Sequence, residues 1–453
     1  MFSRKRINAT EGPILSQMFL YSLPLLLSTL VQQLFNSVDI AVLGNFADTA
    51  AVAAIGATGS TKNLMMFFFY GISAGMCVIL ARALGAKDKE KIQQTVDTGI
   101  LFALGGGILL AVGGWIASPA LMRWTDCPAD CFDAAVLYLR AYFIAAIPIL
   151  LQNFASGMLT TSGNTRSSLN FMLVGGSAKV ALSIVLCLLL PNKVLAVALG
   201  TGLSQLLWAI LAILRLCSGL DPVQLYPTNL KPSKRVLGLI LSQGLPIGLY
   251  RCLFPLANLQ IQAAINSFGA VVMAGNSAVV AIENIISSFT STLSSVCAVF
   301  IGQNLGAEKP DRVRRSFRLC LGIDLTLILA LCVGTYFTGR IWLNLLLPNN
   351  PEAVEHAMAR MFFVVLLYWF LGINNVLGQV LQNFGYSSLS SLNSVIAIFG
   401  MRVAWMAFVY PRFQTYRMLV ACFPFSWVVL FLLNLVMVTV VFRRYRQGKY
   451  KKL

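Results

Sequence analysis

Long apolar stretches recur along almost the whole chain, and they restrict its fold more than any other feature. A helix that crosses a bilayer needs about 20 consecutive apolar residues, and inside hydrocarbon only helices and closed barrels satisfy their own backbone hydrogen bonds. Because 58% of the 453 residues are hydrophobic and 11% are charged, we expect an all-α polytopic membrane protein. About twelve stretches are long enough, at 14–43, 51–80, 94–118, 133–160, 168–190, 194–216, 236–265, 271–302, 316–347, 354–383, 389–410 and 416–442.

The basic residues follow the predicted membrane topology. The chain carries a net charge of +18, and with an even number of spans most of its basic residues fall on one side. They lie at 4–6, 82–91, 166, 215–235, 309–318 and 443–452. The positive-inside rule therefore predicts a multi-pass protein of the plasma membrane with both termini in the cytoplasm. Because this pattern accounts for the positive charge, nucleic acid is not predicted as a partner.

An internal repeat predicts two similar halves. Leu84-Gly85-Ala86-Lys87 recurs as Leu305-Gly306-Ala307-Glu308, and Asn153 with Asn375 and Gly163 with Gly385 keep nearly the same offset. Six spans separate equivalent points, so two parallel six-helix bundles should be related by a pseudo-two-fold axis along the membrane normal. We place an N-terminal six-helix bundle at 1–217, a cytoplasmic linker at 218–235, and a C-terminal six-helix bundle with a basic cytoplasmic tail at 236–453.

The first apolar stretch carries polar side chains that a spanning helix rarely keeps. Gln32, Asn36 and Asp39 follow the spacing i, i+4, i+7 and therefore share one helical face. On insertion scales a carboxylate near the bilayer centre costs roughly 2.5–3.5 kcal/mol, so it usually faces a cavity or a partner. The stripe predicts a polar cavity, with a hydrogen-bonded helix contact as the alternative.

Duplicated halves with charged spans favour a transporter that works by alternating access. A membrane enzyme should show clustered histidines or paired acids in its loops, and the sequence shows neither these nor a metal-ligand spacing. We therefore expect no enzymatic activity, no cofactor and no metal. The expected partners are a small-molecule substrate and membrane lipid, and the expected state is a monomer. Cys127 and Cys131, in an external loop, either form a disulfide or stay free.

Several motifs together resemble the multidrug and toxic compound extrusion (MATE) family, especially its bacterial members. They are Pro24, Gln33, Asn36, Asp39 and Gly44 in the first span, Leu84-Gly85-Ala86-Lys87, Tyr138-Leu139-Arg140 before Pro148, and the run from Phe300 to Ala307. The resemblance covers nearly the whole chain. It implies a twelve-helix exporter of cytoplasmic compounds that is driven by an inward proton or sodium gradient. The nearest alternative is a flippase for lipid-linked precursors or polysaccharides in the same superfamily.

The same resemblance implies a cation site in the first half. Asp39, near Asn36, matches the acid of the family's first helix, and Thr201 matches a threonine of the sixth. The family's asparagine and aspartate on the fifth helix fall on Lys179 and Ser183 here. An ammonium and a hydroxyl remove two oxygen ligands and add repulsion, so we expect proton rather than sodium coupling. Lys179 either pairs with Asp39 and switches when that acid is protonated, snorkels to an interface, or forms a static ion pair.

Polar residues in several spans predict the substrate cavity. We assign to it Gln33, Asn153, Arg251, Asn258, Glu283, Asn375 and Gln379. Arg251 and Glu283 either pair with each other or make separate contacts. Because Lys179 and Arg251 offset Asp39 and Glu283, a cavity of near-zero net charge suits amphipathic, zwitterionic or anionic compounds.

Overall fold

A computed structural model describes residues 7–36, 49–125, 127–348 and 350–449. Every regular element over these residues is helical, and twelve helices are long and apolar enough to cross a membrane. They are α1 (Ile14–Asn36), α2 (Thr49–Ala86), α3 (Lys89–Trp124), α4 (Ala129–Thr161), α5 (Thr165–Leu189), α6 (Lys193–Cys217), α7 (Lys234–Asn266), α8 (Ala270–Gly306), α9 (Pro310–Leu346), α10 (Pro351–Asn383), α11 (Ser387–Phe413) and α12 (Tyr416–Arg446). The predicted fold class is confirmed.

Several helices are longer than the apolar stretches that predicted them. The stretch at 94–118, for example, lies inside α3, which runs from Lys89 to Trp124. Helical hydrogen bonding continues beyond the hydrocarbon into polar residues, which hydropathy does not register. Side-chain caps define the polar ends: the Asp88 carboxylate accepts a hydrogen bond from the Lys91 backbone N–H at 3.0 Å, and Asn164 caps α5 in the same way.

The repeated sequence segments form matched turns. Lys87, after α2, and Glu308, after α8, have positive φ angles of 56° and 52°. In both turns this residue's N–H bonds to the carbonyl three residues back, and the next N–H bonds to the carbonyl five residues back, which is a Schellman helix end. Gly163 and Gly385 share a second such turn, with φ angles of 92° and 84°. The landmarks of the sequence repeat are therefore equivalent backbone structures.

Packing divides the chain into two compact units, Met1–Gly248 and Leu249–Leu453. The division falls inside α7, so the beginning of this helix packs within the first unit. Gly71 and Gly75 of α2 lie against Gly248 and Gly244, and a Cβ atom added at Gly71 would lie 2.3 Å from the Gly248 Cα atom. Glycines four residues apart on both helices thus allow backbone contact. The predicted boundary between two six-helix bundles stays a prediction.

Two buried carboxylates fasten the segment between α6 and α7 to the first unit. Asp221 accepts hydrogen bonds from Arg215 Nε at 2.8 Å and from Asn164 Nδ2. Asp97 of α3 accepts one from the Lys231 backbone N–H at 2.9 Å, and the neighbouring Thr98 hydroxyl accepts one from Ser233 N–H. Both carboxylate residues are almost fully buried, so this segment is an ordered part of the unit.

Two helices of the second unit are irregular. The α10 helix contains a π-helical turn at Met361–Val365, and α11 contains two, at Val395–Gly400 and Trp405–Val409. Such turns interrupt the regular hydrogen-bond ladder and are frequent at functional sites.

Cys127 and Cys131 do not form a disulfide. Both are free, with their Sγ atoms 3.7 Å apart. Burial, together with the hydrogen bond and the charge of Cys131, raises the pKa of the Cys127 thiol.

Candidate coupling and substrate sites

The predicted acid of the first span lies outside the described residues. Asp39 belongs to the segment 37–48, and Asn36 is the last residue of α1. The structure does describe the helices on which the other predicted coupling residues stand. Those are α5, with Lys179 and Ser183, and α6, with Thr201.

Lys179 brings α5 against the end of α1. Its side chain is buried, and Nζ donates to the backbone carbonyl of Phe35 at 3.4 Å. One turn earlier on α5, Gly176 makes room for the Phe35 ring, because a Cβ atom there would lie 1.9 Å from the ring. The ammonium therefore contacts Phe35, which lies four residues before Asp39 in sequence and next to the end of the described part of α1.

A small polar cavity adjoins Lys179. It has a volume of about 40 Å³ and is also lined by Gln32, Ser204, Gln205 and Trp208. This is large enough for a water molecule. The Gln205 Oε1 and Trp208 Nε1 atoms are buried and have no hydrogen-bond partner among the described residues, so the cavity wall has unused donors and acceptors.

The two predicted hydroxyls lie on the same helices as the cavity-lining residues Lys179 and Gln205. Ser183 and Thr201 are buried, and within the described part of the chain neither hydroxyl has a hydrogen-bond partner. Ser183 packs on Gly200, where an added Cβ atom would lie 2.7 Å from the serine Oγ. Since Gly200 precedes Thr201, the structure brings both hydroxyls to the α5–α6 contact, and Lys179 lies one turn away on α5.

The described residues of this arrangement lack the negative charge with which proteins hold a sodium ion. Sodium is held by several oxygen atoms, with carboxylates supplying the negative charge. The described side chains here offer two hydroxyls and an amide oxygen beside a cationic ammonium. No group of histidine, cysteine, aspartate or glutamate suited to a metal ion occurs among the described residues.

In the second unit, Glu283 contacts Arg360 of α10. Arg360 Nε and Nη2 donate to the two carboxylate oxygens at 2.7 and 2.9 Å, and Nη1 donates to Asn276 Oδ1 at 2.7 Å. The Tyr416 hydroxyl donates to the same amide oxygen at 3.3 Å. Of the two alternatives for Arg251 and Glu283, the structure therefore shows separate contacts.

A second buried arginine lies next to this pair. Arg402 of α11 is 1% exposed, and its Nη1 donates to Asn258 Oδ1 at 2.6 Å. The guanidinium carbons of Arg360 and Arg402 lie 5.1 and 4.5 Å from the centre of the Phe423 ring. The ring thus stabilises two cations by cation–π contact.

The remaining predicted cavity residues lie on four helices. Gln33 on α1 and Arg251 on α7 are exposed, and Asn153 on α4 is half-buried. On α10, Asn375 and Gln379 are half-buried as well. Of the predicted cavity residues, Glu283 bonds to Arg360 and Asn258 bonds to Arg402.

Sequence reasoning missed several buried or half-buried charges. Arg360, Arg402 and Asp324 lie in apolar spans, and so does Lys62, which donates to the Tyr138 hydroxyl at 3.2 Å. Each of them has the feature that identified Asp39, which is a charged side chain inside a predicted span. Their partners lie on other helices, and sequence spacing does not indicate those.

An apolar groove occupies another part of the first unit. It has a volume of about 500 Å³ and is lined by Phe68, Phe69, Phe102 and leucines of α3 and α7. Because its wall is almost entirely apolar, it lacks the few convergent polar groups that orient a ligand.

Comparisons with known proteins agree with this architecture. The family model MatE matches residues 24–187 and 246–408. The "Probable multidrug resistance protein YoeA" of Bacillus subtilis is 24% identical over 410 residues, which cover 89% of this chain and 88% of that protein.

Two solved structures share the fold. One is an outward-facing multidrug resistance MATE family transporter of the MOP superfamily, with a TM-score of 0.86, 17% identity, and coverage of 97% of this chain and 99% of the other. The second is a MOP superfamily transporter from Pyrococcus furiosus, described for the reverse polarity of its binding pocket. Its TM-score is 0.83 at 18% identity, and 99% of each chain is covered.

Proposed function

Because the chain belongs to the MatE family of transporters, we propose that it exports small amphipathic compounds from the cytoplasm by alternating access, as a secondary active antiporter. It is a multi-pass protein of the plasma membrane. Our proposal places both termini in the cytoplasm, treats the chain as a monomer in contact with membrane lipid, and assigns the driving force to protons that bind Asp39.

The observation that carries this proposal is the buried Lys179 at the end of α1. Its ammonium lies 3.4 Å from the Phe35 carbonyl oxygen, beside hydroxyls that have no partner among the described residues. A cation at this position repels sodium but stabilises a carboxylate. The chemistry of the site therefore supports exchange of a proton better than exchange of a sodium ion.

Coupling follows from the charge balance between Lys179 and Asp39. When Asp39 is ionised it stabilises the ammonium, and protonation removes that stabilisation and leaves the cation to the Phe35 carbonyl and the polar cavity. A change of partner at the α1–α5 contact biases the helices toward a different arrangement, which is how a local charge change selects between two conformations.

The substrate class follows from the excess of buried cations. In the second unit, Arg360 and Arg402 lie near one carboxylate, that of Glu283. Fixed positive charge disfavours simple cations, so we propose amphipathic substrates that are zwitterionic or anionic.

Transport into proteoliposomes tests the proposal, with proton and sodium gradients imposed separately. A proton gradient alone should drive accumulation of an anionic amphipathic dye, and Asp39→Asn should abolish it. The double variant Lys179→Asn with Ser183→Asp, which restores the family's amide and carboxylate, should gain sodium dependence. Sodium-driven transport by the parent chain would contradict the proposal, as would translocation of lipid-linked precursors without dye export.

A further inference from the structure

Asp324 is a buried carboxyl group in the middle of α9. The residue is completely buried, and neither of its carboxyl oxygens has a hydrogen-bond partner among the described residues. It packs directly on α10, because a Cβ atom added at Gly372 would lie 2.5 Å from Asp324 Oδ2.

Among the residues that the structure describes, the groups around Asp324 supply no positive charge. The titratable groups that act on it are thiols: Cys297 on α8 and Cys332 on its own helix. From α10 it meets Gly372, and no described cation acts on it. Arg360 on α10 instead donates from each of its three side-chain nitrogens to Glu283 and Asn276.

An ionised carboxylate without a donor or a cation is strongly disfavoured inside a membrane protein, whereas the neutral acid is tolerated. We propose that Asp324 is a second proton-binding site, which holds a proton in the conformation seen here. This inference rests on the proposed proton-driven export. It assigns to the second unit a proton carrier that is independent of Asp39.

The helix that covers Asp324 is interrupted just before the contact. In α10 the π-helical turn Met361–Val365 is followed by a turn, and regular helix resumes at Trp369, three residues before Gly372. Leu366 N–H bonds to the carbonyl of Met361, five residues back. A break of this kind is where one part of a helix can tilt relative to the other.

The break in α10 allows a movement of this helix to be coupled to the protonation of Asp324. When the part of α10 beyond Trp369 tilts away, Gly372 withdraws from the carboxyl group and water reaches it. The O–H bond of the acid then breaks, its proton passes to water, and the solvated carboxylate remains. Return of α10 to the described position requires the carboxylate to take a proton back, so the two events are coupled.

Infrared spectroscopy of the purified, full-length protein tests the protonation directly. A protonated carboxyl group in an apolar site gives a carbonyl stretching band that a carboxylate lacks. We expect this band at neutral pH in the parent, its loss in Asp324→Asn, and its retention in Asp39→Asn. A band that is unchanged in Asp324→Asn would overturn the inference.

A pair of glycine variants tests the role of the covering helix. Gly372→Ala should displace the carboxyl group and shift or remove the infrared band. The control on the same helix is Gly378→Ala, whose new Cβ atom would lie 3.5 Å from Ser390 Oγ, an ordinary contact; it should leave the band unchanged. Equal spectra for the two variants would contradict the packing argument.

Transport by Asp324→Asn separates this inference from the proposed function. We expect the variant to exchange substrate across the membrane but to lose the pH dependence of proton-driven accumulation. Unchanged pH dependence would overturn the role of Asp324 and leave the proposed function intact. If the parent shows the band but no proton-driven export, the proposed function fails and the coupling role of Asp324 fails with it.

Discussion

The buried polar groups around Lys179 in the first unit and around Arg360 in the second differ in how fully they are bonded. Around Lys179 in the first unit, Ser183, Thr201, Gln205 and Trp208 each keep a buried polar atom without a partner in the described structure. In the second unit, Arg360 uses all three of its nitrogens on Glu283 and Asn276. Spare hydrogen-bonding capacity allows a site to change partners, whereas a saturated network holds helices together.

The comparison predicts that substitutions in these two clusters affect different properties. Changes in the Arg360 network should lower the free energy of unfolding, and changes near Lys179 should mainly lower transport. The variants below test this contrast, from the largest expected effect to the smallest.

Arg360→Met should destabilise the protein most. It leaves Glu283 as a buried charge without its partner, which typically costs 3–5 kcal/mol, and we expect a loss of about this size in the free energy of unfolding. Equilibrium unfolding in detergent micelles measures it. The double variant with Glu283→Gln removes both charges and should recover most of the loss. Parent-like stability of the single variant would show that the network does not hold the unit together.

Lys179→Met should abolish proton-driven export with a much smaller effect on folding. Its Nζ atom has a long contact of 3.4 Å to a neutral carbonyl, so we expect a change of about 1 kcal/mol in the free energy of unfolding. Lys193→Met is the control, because Lys193 bonds to the carbonyls of Cys187 and Leu190 outside the proposed site. Export that survives in Lys179→Met would remove the distinction between the Lys179 and Arg360 clusters.

Ser183→Ala should have the smallest effect on stability. Its hydroxyl has no partner in the described structure, so its removal breaks no hydrogen bond. We expect a change within about 0.5 kcal/mol, as for substitutions that break no contact. Ser118→Ala is the matched control, since that buried hydroxyl bonds to the Gly114 carbonyl at 2.5 Å, and it should cost about 1 kcal/mol. A larger loss in Ser183→Ala would reveal an unrecognised bond.

The helices and their number could be predicted from the sequence because each span has to be apolar over its own length. The turns at Lys87 and Glu308 could also be placed, since a repeated motif implies a repeated local structure. These are local properties. Each depends on residues that are neighbours in the chain.

The bonding partners could not be predicted, because they depend on how each helix is rotated and where it crosses another. Glu283 lies 77 residues from Arg360 in sequence, and Arg251 was the nearer candidate. The contact of Gly71 with Gly248 is likewise visible only once α2 and α7 are packed. For the coupling site, the family resemblance pointed to Lys179, Ser183 and Thr201, and the cavity beside them came from the structure.

The segment between α6 and α7 is held by hydrogen bonds, so it is a poor site for proteolytic cleavage or for insertion of a foreign sequence. The backbone N–H groups of Lys231 and Ser233 are bonded to Asp97 and Thr98, and a protease must pull this backbone free before it can bind. An epitope tag placed between Asp221 and Ser233 would break the same bonds. By contrast, Gly448, in the basic tail beyond α12, has open space around it, so a tag added there displaces nothing.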